Sequence, residues 1–345
     1  MIFETVATGG CRSYLLGCPE TCAGAVIDPE LGQIERYVAL AAKDGVRIRY
    51  VIDTHTHADH FSGARLLAQR LGATTVMHRS SSAPMVDMRV DDGDMLVIGS
   101  LRLQIMYTPG HTRDSICLVA DDRVFTGDTL LIGATGRTDL PTGDSATLYD
   151  SLFDGLLKLD PTLMVFPAHE YQGRSLTTIG DEIASNPRLQ VRDKAAFVAL
   201  MGQLNLAMPT HITEALRTNL SGGKTVAQML AEAAASVPFM AMAELQRRIA
   251  RGDPELIVLD VREREAFNAG HIPGAQLLPR GQLELRVNDD LPDPTRHIVT
   301  CCEFGRVSTL AAATLRQMGF MRAVALHGGI KSWREAGYAL TPAGD

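Results

Sequence analysis

The stretch that most constrains this chain is Thr54 to His60, T-H-T-H-A-D-H, which packs three histidines and an aspartate into six positions directly after the apolar-rich run Tyr50 to Ile52. Four side chains of metal-binding type this close together point to a metal site. In an extended segment side chains alternate, so His55 and His57 are expected to face the same way and grip one ion. Asp59 and His60 lie where the chain is expected to turn into a helix through Phe61, Ala64, Leu67 and Ala68. The pattern recurs further on. His111 follows the strand-like Leu103 to Tyr107 in T-P-G-H-T, Asp128 follows Arg123 to Thr126, and His169 follows Leu163 to Phe166 in P-A-H-E-Y. Strand ends converge on one edge of a sheet, so ligands far apart in the chain can share one site.

A length of 345 residues is too great for most single cores and predicts two domains. The hydrophobic content of 46% suffices for well-formed cores, and the formal net charge of -7 argues against nucleic-acid or anionic-membrane partners. The opening M-I-F-E-T-V reads as a strand, and neither an export signal nor a membrane span is expected. Six cysteines in this length do not make a disulfide scaffold; Cys11, Cys18 and Cys22 are close in sequence, but reduced thiols in the cytoplasm are the expectation. Residues 1–237 read as strands with intermittent helices, then a helical part and an alanine-rich connector. From 238 to 345, strands at Leu256 to Leu259, Ile298 to Thr300 and Arg322 to Ala325 alternate with helices such as Leu310 to Gln317. That alternation predicts a compact parallel α/β domain.

The motif His55-x-His57-x-Asp59-His60, with His111, Asp128 and His169, resembles the metallo-β-lactamase superfamily, and the resemblance covers about residues 1–220. It implies an αββα sandwich with metal at one edge. Two branches of the superfamily compete. In glyoxalase II thioesterases all these positions serve two metals, with the residue matching Asp128 bridging. In persulfide dioxygenases, one Fe(II) is held by the residues taken to match His57, His111 and Asp128, and His55, Asp59, His60 and His169 become supporting groups. Thr126 to Leu140, with Gly136-Arg137-Thr138-Asp139 most distinctive, resembles the dioxygenases. Ala134-Thr135 and Arg113-Asp114 depart from the residues usual there. The implied substrates are glutathione persulfide and O2 and the products sulfite and glutathione, with Arg137 near the glutathione carboxylates and Tyr171 near the substrate. Zinc has no accessible redox step for such a reaction. Dimerisation through this domain is a further implication.

From Leu259 the chain reads L-D-V-R-E-R-E-A-F-N-A-G-H-I-P-G-A, and later C-E-F-G-R-V-S over 302–308, which together resemble the rhodanese family across about 238–342. Cys302 is then the nucleophile that carries sulfane sulfur, placed at a strand-to-helix turn where a helix starting near Ser308 favours the thiolate. Glu303, Phe304, Gly305, Arg306 and Val307 form the substrate loop, with Arg306 one place earlier than the usual arginine and Val307 in its slot. Cys301 is expected to be buried. Thiosulfate and sulfite join glutathione persulfide and glutathione as expected substrates. The two modules together imply a persulfide dioxygenase with sulfurtransferase activity; a glyoxalase II-like thioesterase and a sulfur-relay protein with a weakly active metal domain are the alternatives.

Overall fold

The computed structural model describes residues 1–170, 173–174, 176–208 and 212–342, and the chain divides into two compact units, Met1–Gly223 and Lys224–Asp345. In the first unit, β1 (Ile2–Thr8), β2 (Cys11–Gly17), β3 (Ala23–Ile27), β4 (Arg47–Ile52), β5 (Thr74–His78) and β6 (Met88–Val90) lie in sequence order in one sheet, antiparallel from β1 to β3 and parallel from β3 to β6. A second sheet contains β7 (Met95–Ile98), β8 (Leu101–Tyr107), β9 (Ile116–Val119) and β10 (Arg123–Gly127) as antiparallel neighbours, and strand Met164–Pro167 pairs parallel to β10 at its edge.

Period-two alternation explains why the sheets stack. Tyr14 and Leu16 of β2, Ala25 and Ile27 of β3, and Ile116 and Leu118 of β9 meet in one core between the sheets, with Phe125 and Phe166. The intervening residues Leu15 and Val26 face α1 (Ile34–Lys43) and α2 (Ala64–Leu71) on one outer side. Cys117 and Val124 instead meet Leu148, Ile179 and Phe197 on the other, where helices Ser145–Asp150, Ile179–Ser185 and Lys194–Gly202 lie. The unit is an αββα sandwich, as the motif implied.

The second unit is a five-stranded parallel sheet in the order Phe239–Met240, Val324–Leu326, His297–Cys301, Leu256–Asp260, Gln276–Leu277. Its central strands are buried on both faces, as parallel strands require: Ile257, Leu259 and Ile298 pack with Ala311 and Leu315 of helix Arg306–Gln317, while Val258 and Val299 pack with Trp333. The boundary differs from the expected 237/238. Helix Val226–Ser236 packs on helix Arg306–Gln317, and Val237 is buried with Ala312 and Ala325, so the stretch read as a connector belongs to the second unit. Among the described residues no helix is long and apolar enough to cross a membrane.

Trp333, the chain's one tryptophan, is fully buried and donates its ring N–H to the Ala339 carbonyl at 2.9 Å, so its fluorescence reports the second unit. Leu315→Ala, at a side chain with no exposure, is expected to lower the stability read by Trp333 during urea unfolding. A loss of about 2–5 kcal/mol is typical for such a truncation.

Candidate metal centre and nucleophile loop

The metal motif leaves the end of β4 as an irregular loop held by its own side chains. Asp53 N–H donates to Val76 O, and Thr54 O accepts from Ile116 N–H of β9, so the loop bridges the two sheets. The expected helix through Phe61 starts only at Ala64, because residues 57–62 are bonded elsewhere. Ser62 Oγ donates to Asp53 Oδ2 at 2.7 Å, and Asn219 Nδ2 donates to the carbonyls of His57 and His60 at 2.8 and 2.9 Å. Asn219 lies in helix Ile212–Ser221, and nothing in the sequence around it marks that role.

Asp28 organises the histidines. Its carboxylate accepts from Thr54 N–H at 2.7 Å, from the Thr54 hydroxyl at 2.8 Å and from His57 Nε2 at 3.2 Å. Because the Thr54 hydroxyl proton is spent on Asp28, its oxygen accepts from His55 Nδ1 at 3.0 Å. These bonds fix both tautomers and leave His55 Nε2 and His57 Nδ1 buried without a hydrogen-bond partner. Asp28 holds a positive φ of 49°, a conformation that aspartate and asparagine tolerate better than most residues. Burial opposes charge on Asp28, but His57, His55 and the Thr54 N–H more than offset it and hold the carboxyl below its usual range.

His111 Nδ1 donates to the Arg137 carbonyl at 2.8 Å, which turns its Nε2 toward Asp128 Oδ2 at 3.4 Å. Only glycine fits at 136: a Cβ there would lie 2.0 Å from Asp128 O and 3.0 Å from His111 Nδ1. One donor atom each of His55, His111 and Asp128 lies within 4.8 Å of the others, all three residues buried. The sequence reading put His57 in this group. The structure puts His55 there and groups His57 with Asp28 and Asp53, because the loop is not extended beyond β4 and Asp28 takes His57 Nε2. The two rings remain neighbours, centroids 4.2 Å apart.

Asp59, His60 and His169 form a separate cluster with Cys11, a residue the sequence reading considered only for disulfides. His169 Nδ1 is 2.7 Å from Asp128 Oδ1 and its Nε2 2.8 Å from Asp59 Oδ2, while Cys11 Sγ lies 3.5 Å from both Asp59 Oδ2 and His169 Nε2. The bridge between Cys11 and His169, with Arg12 N–H on Ala168 O, pins the β1–β2 turn over this side. Burial and the neighbouring His57 and His111 push the His55 imidazole down to about 3, so it stays neutral. Burial alone would raise Asp128, but His169, His111 and His55 hold its carboxyl well below the usual range. Two imidazoles whose Nδ1 atoms are already bonded, with the Asp128 carboxylate beside them, suit a divalent transition metal with open positions.

Arg137 does not present a free guanidinium for a substrate carboxylate. Its side chain forks onto Asp139 at 2.6 and 2.7 Å and reaches the Ala207 carbonyl at 2.8 Å, and its own carbonyl orients His111. Asp114, one of the residues departing from the resembled family, is buried and holds Thr56 N–H and hydroxyl at 3.2 and 2.5 Å. Tyr171 lies outside the described residues.

In the second unit Cys302 directly follows strand His297–Cys301 and is 4% exposed. Ser308 N–H donates to its Sγ at 3.2 Å, and Ser308 Oγ lies 3.4 Å away. The helix begins at Arg306, two residues before its expected start, after Gly305 turns the chain with φ of 81°. Gly329 backs the loop so closely that a Cβ would fall 2.5 Å from Cys302 O. Glu303 pairs with Arg262 at 3.2 Å and Arg334 at 2.9 Å. Cys301 is fully buried, and burial pushes its thiol well up.

With the sandwich and its edge cluster described, comparison with known proteins gives the class. Residues 8–169 match the metallo-beta-lactamase superfamily model and residues 241–336 the rhodanese-like domain model. Human mitochondrial persulfide dioxygenase ETHE1 is 38% identical over 214 residues, 61% of this chain and 84% of that protein. The crystal structure of ETHE1 from Myxococcus xanthus is 38% identical with a TM-score of 0.63, covering 65% of this chain and 100% of that one. A hydroxyacylglutathione hydrolase from Rhodopseudomonas palustris is 33% identical over 215 residues, 60% of this chain and 80% of that protein. The chain belongs to the ETHE1 persulfide dioxygenase family of the metallo-beta-lactamase superfamily, with a C-terminal rhodanese-like domain.

Asp28→Asn keeps the shape and tolerates the positive φ, but it cannot accept all three hydrogen bonds. Chelator competition is expected to show metal affinity weakened about 10–100-fold, the range found when a group orienting metal ligands is lost.

Proposed function

We propose that the first unit is an iron-dependent glutathione persulfide dioxygenase and that the second exchanges sulfane sulfur through Cys302. The first reaction takes glutathione persulfide, O2 and water to sulfite and glutathione. The second interconverts thiosulfate and sulfite with glutathione persulfide and glutathione. The observation that carries the metal reading is the convergence of His55, His111 and Asp128 with the two Nδ1 atoms already bonded. In this reading those three side chains hold Fe(II), His55 replacing His57 in the expected triad. Bound Fe(II) supplies the redox chemistry of oxygen activation, which zinc lacks. The chain's own part is to hold the His55 imidazole neutral, the His111 ring oriented by the Arg137 carbonyl and the Asp128 carboxylate ionised, with His169 bridging Asp128 and Asp59 so that neither carboxylate is buried alone. At Cys302, the Ser308 N–H and the start of the helix face the sulfur that attacks a sulfane sulfur. The six unpaired cysteines accord with the cytoplasm.

A second reading, a dinuclear glutathione thioesterase, draws on the retained cluster of Asp59, His60 and His169 and on the hydrolase relative. Metal analysis and oxygen uptake separate the two. The dioxygenase reading expects about one iron per chain and O2 consumption with glutathione persulfide after anaerobic iron loading. His55→Ala is expected to lose iron and O2 uptake together, by roughly 100-fold or more. Two zinc ions, no O2 uptake and hydrolysis of S-lactoylglutathione would instead establish the thioesterase. Cys302→Ser is expected to abolish sulfur transfer, measured as sulfite formed from thiosulfate and glutathione; transfer at the original rate would remove Cys302 from the nucleophile's role.

A further inference from the structure

We propose that Cys302 takes its sulfur from an organic persulfide in preference to thiosulfate. This rests on the sulfurtransferase reading above and narrows its donor. The charge around the loop is the first ground. Within 302–308 the ionised side chains are Glu303 and Arg306, whose formal charges cancel, so the loop adds no net positive charge to meet a dianion. The nearby guanidinium groups are already engaged: Arg262 binds Asp260 at 2.7 Å and Glu303 at 3.2 Å, and Arg334 binds Glu303 at 2.9 Å. Arg306 is exposed at the first position of its helix. It therefore offers one solvent-screened cation. The helix start supports the sulfur nucleophile with either donor and does not discriminate between them.

The reaction itself makes this charge decisive. When the Cys302 thiolate attacks the outer sulfur of thiosulfate, a sulfur–sulfur bond forms at Cys302 and the bond to the sulfonate sulfur breaks. Sulfite leaves with the electron pair, and the whole assembly is a trianion. When the donor is RSSH, the same new bond forms, the RS–S bond breaks, and the leaving thiolate takes the persulfide proton to become RSH. Cys302 ends as a persulfide anion, no oxidant or reductant is consumed, and the reacting sulfur atoms carry one negative charge, the donor's carboxylates lying away from them. A loop without surplus cations accommodates the second far better than the first.

The second ground is the surface at the loop's mouth. Phe304 is 65% exposed and Val307 43% exposed, two apolar side chains in the loop that presents the nucleophile. Lys331 Nζ lies 5.9 Å from the centroid of the Phe304 ring and 3.8 Å from Glu335 Oε1, so this cation at the edge of the apolar surface is paired like the arginines. An organic persulfide, glutathione persulfide among them, can lay its carbon chain on Phe304 and Val307. Thiosulfate has no carbon to place there.

The test is anaerobic loading of the full chain, with the mass gain of one sulfur atom on the Cys302 peptide followed in time for glutathione persulfide and for thiosulfate. The second-order rate constant is expected to be at least about tenfold higher for the persulfide, the discrimination that one unmatched polar or apolar contact produces. Val307→Arg and Glu303→Gln are each expected to raise thiosulfate loading and narrow the ratio, and Phe304→Ala to reduce persulfide loading more than thiosulfate loading. Trp333 fluorescence verifies that each variant is folded. Thiosulfate loading as fast as persulfide loading, or a ratio unmoved in the folded variants, overturns the preference and leaves the sulfurtransferase reading standing. No loading by either donor overturns both.

Discussion

The first unit depends on one buried carboxylate. Asp28 closes β3 and receives the Thr54 amide, the Thr54 hydroxyl and the His57 ring, and through the Thr54 oxygen it also decides which nitrogen of His55 carries the proton. A buried carboxylate is costly unless its lone pairs are satisfied, and here each satisfied lone pair orders a piece of the metal loop. The energy that stabilises Asp28 in the interior therefore also orients the ligands. Without that arrangement His55 and His57 would be loop residues with free tautomers and no common focus.

The sandwich then brings the remaining ligands to that loop. His111 follows β8, Asp128 follows β10, and His169 follows the strand Met164–Pro167 parallel to β10, all from the second sheet, while His55 and His57 follow β4 of the first. Packing between the sheets through Tyr14, Ile52, Phe125 and Phe166 holds the two halves of the site in register. The carbonyl of Arg137, the amide of Asn219 and the carboxylate of Asp114 complete the orientation from outside the ligand set. The second unit solves a different problem with similar means: Gly305 and Gly329 let backbone approach backbone, so that Ser308 N–H reaches Cys302 Sγ without a metal.

Much of this was legible in the residues. The H-x-H-x-D-H spacing, the ligand-type residues placed after strands and the C-E-F-G-R-V-S loop were sufficient for the two fold classes and for most of the residues that the candidate sites bring together, because each is a local pattern whose chemistry has few other uses. Three features were not legible for identifiable reasons. The extended-strand rule would put His55 and His57 on one ion, but the loop bends after Ile52 and Asp28, distant in sequence, captures His57. Arg137 looks like a free cation until its partners Asp139 and Ala207 are seen. Cys11 and Asn219 carry no motif, and they join the site only because a hairpin turn and a late helix fold over it.

The amino-acid order, then, specified a cluster of metal-binding side chains at the edge of a sandwich and a cysteine in a short strand-to-helix loop, since side-chain type and spacing carry that information locally. Which histidine lies beside His111 and Asp128, which groups each ring nitrogen meets and where the helix Val226–Ser236 packs depend on the tertiary structure. Those outcomes depend on hydrogen bonds and apolar contacts between residues far apart in the chain, and no local pattern records them.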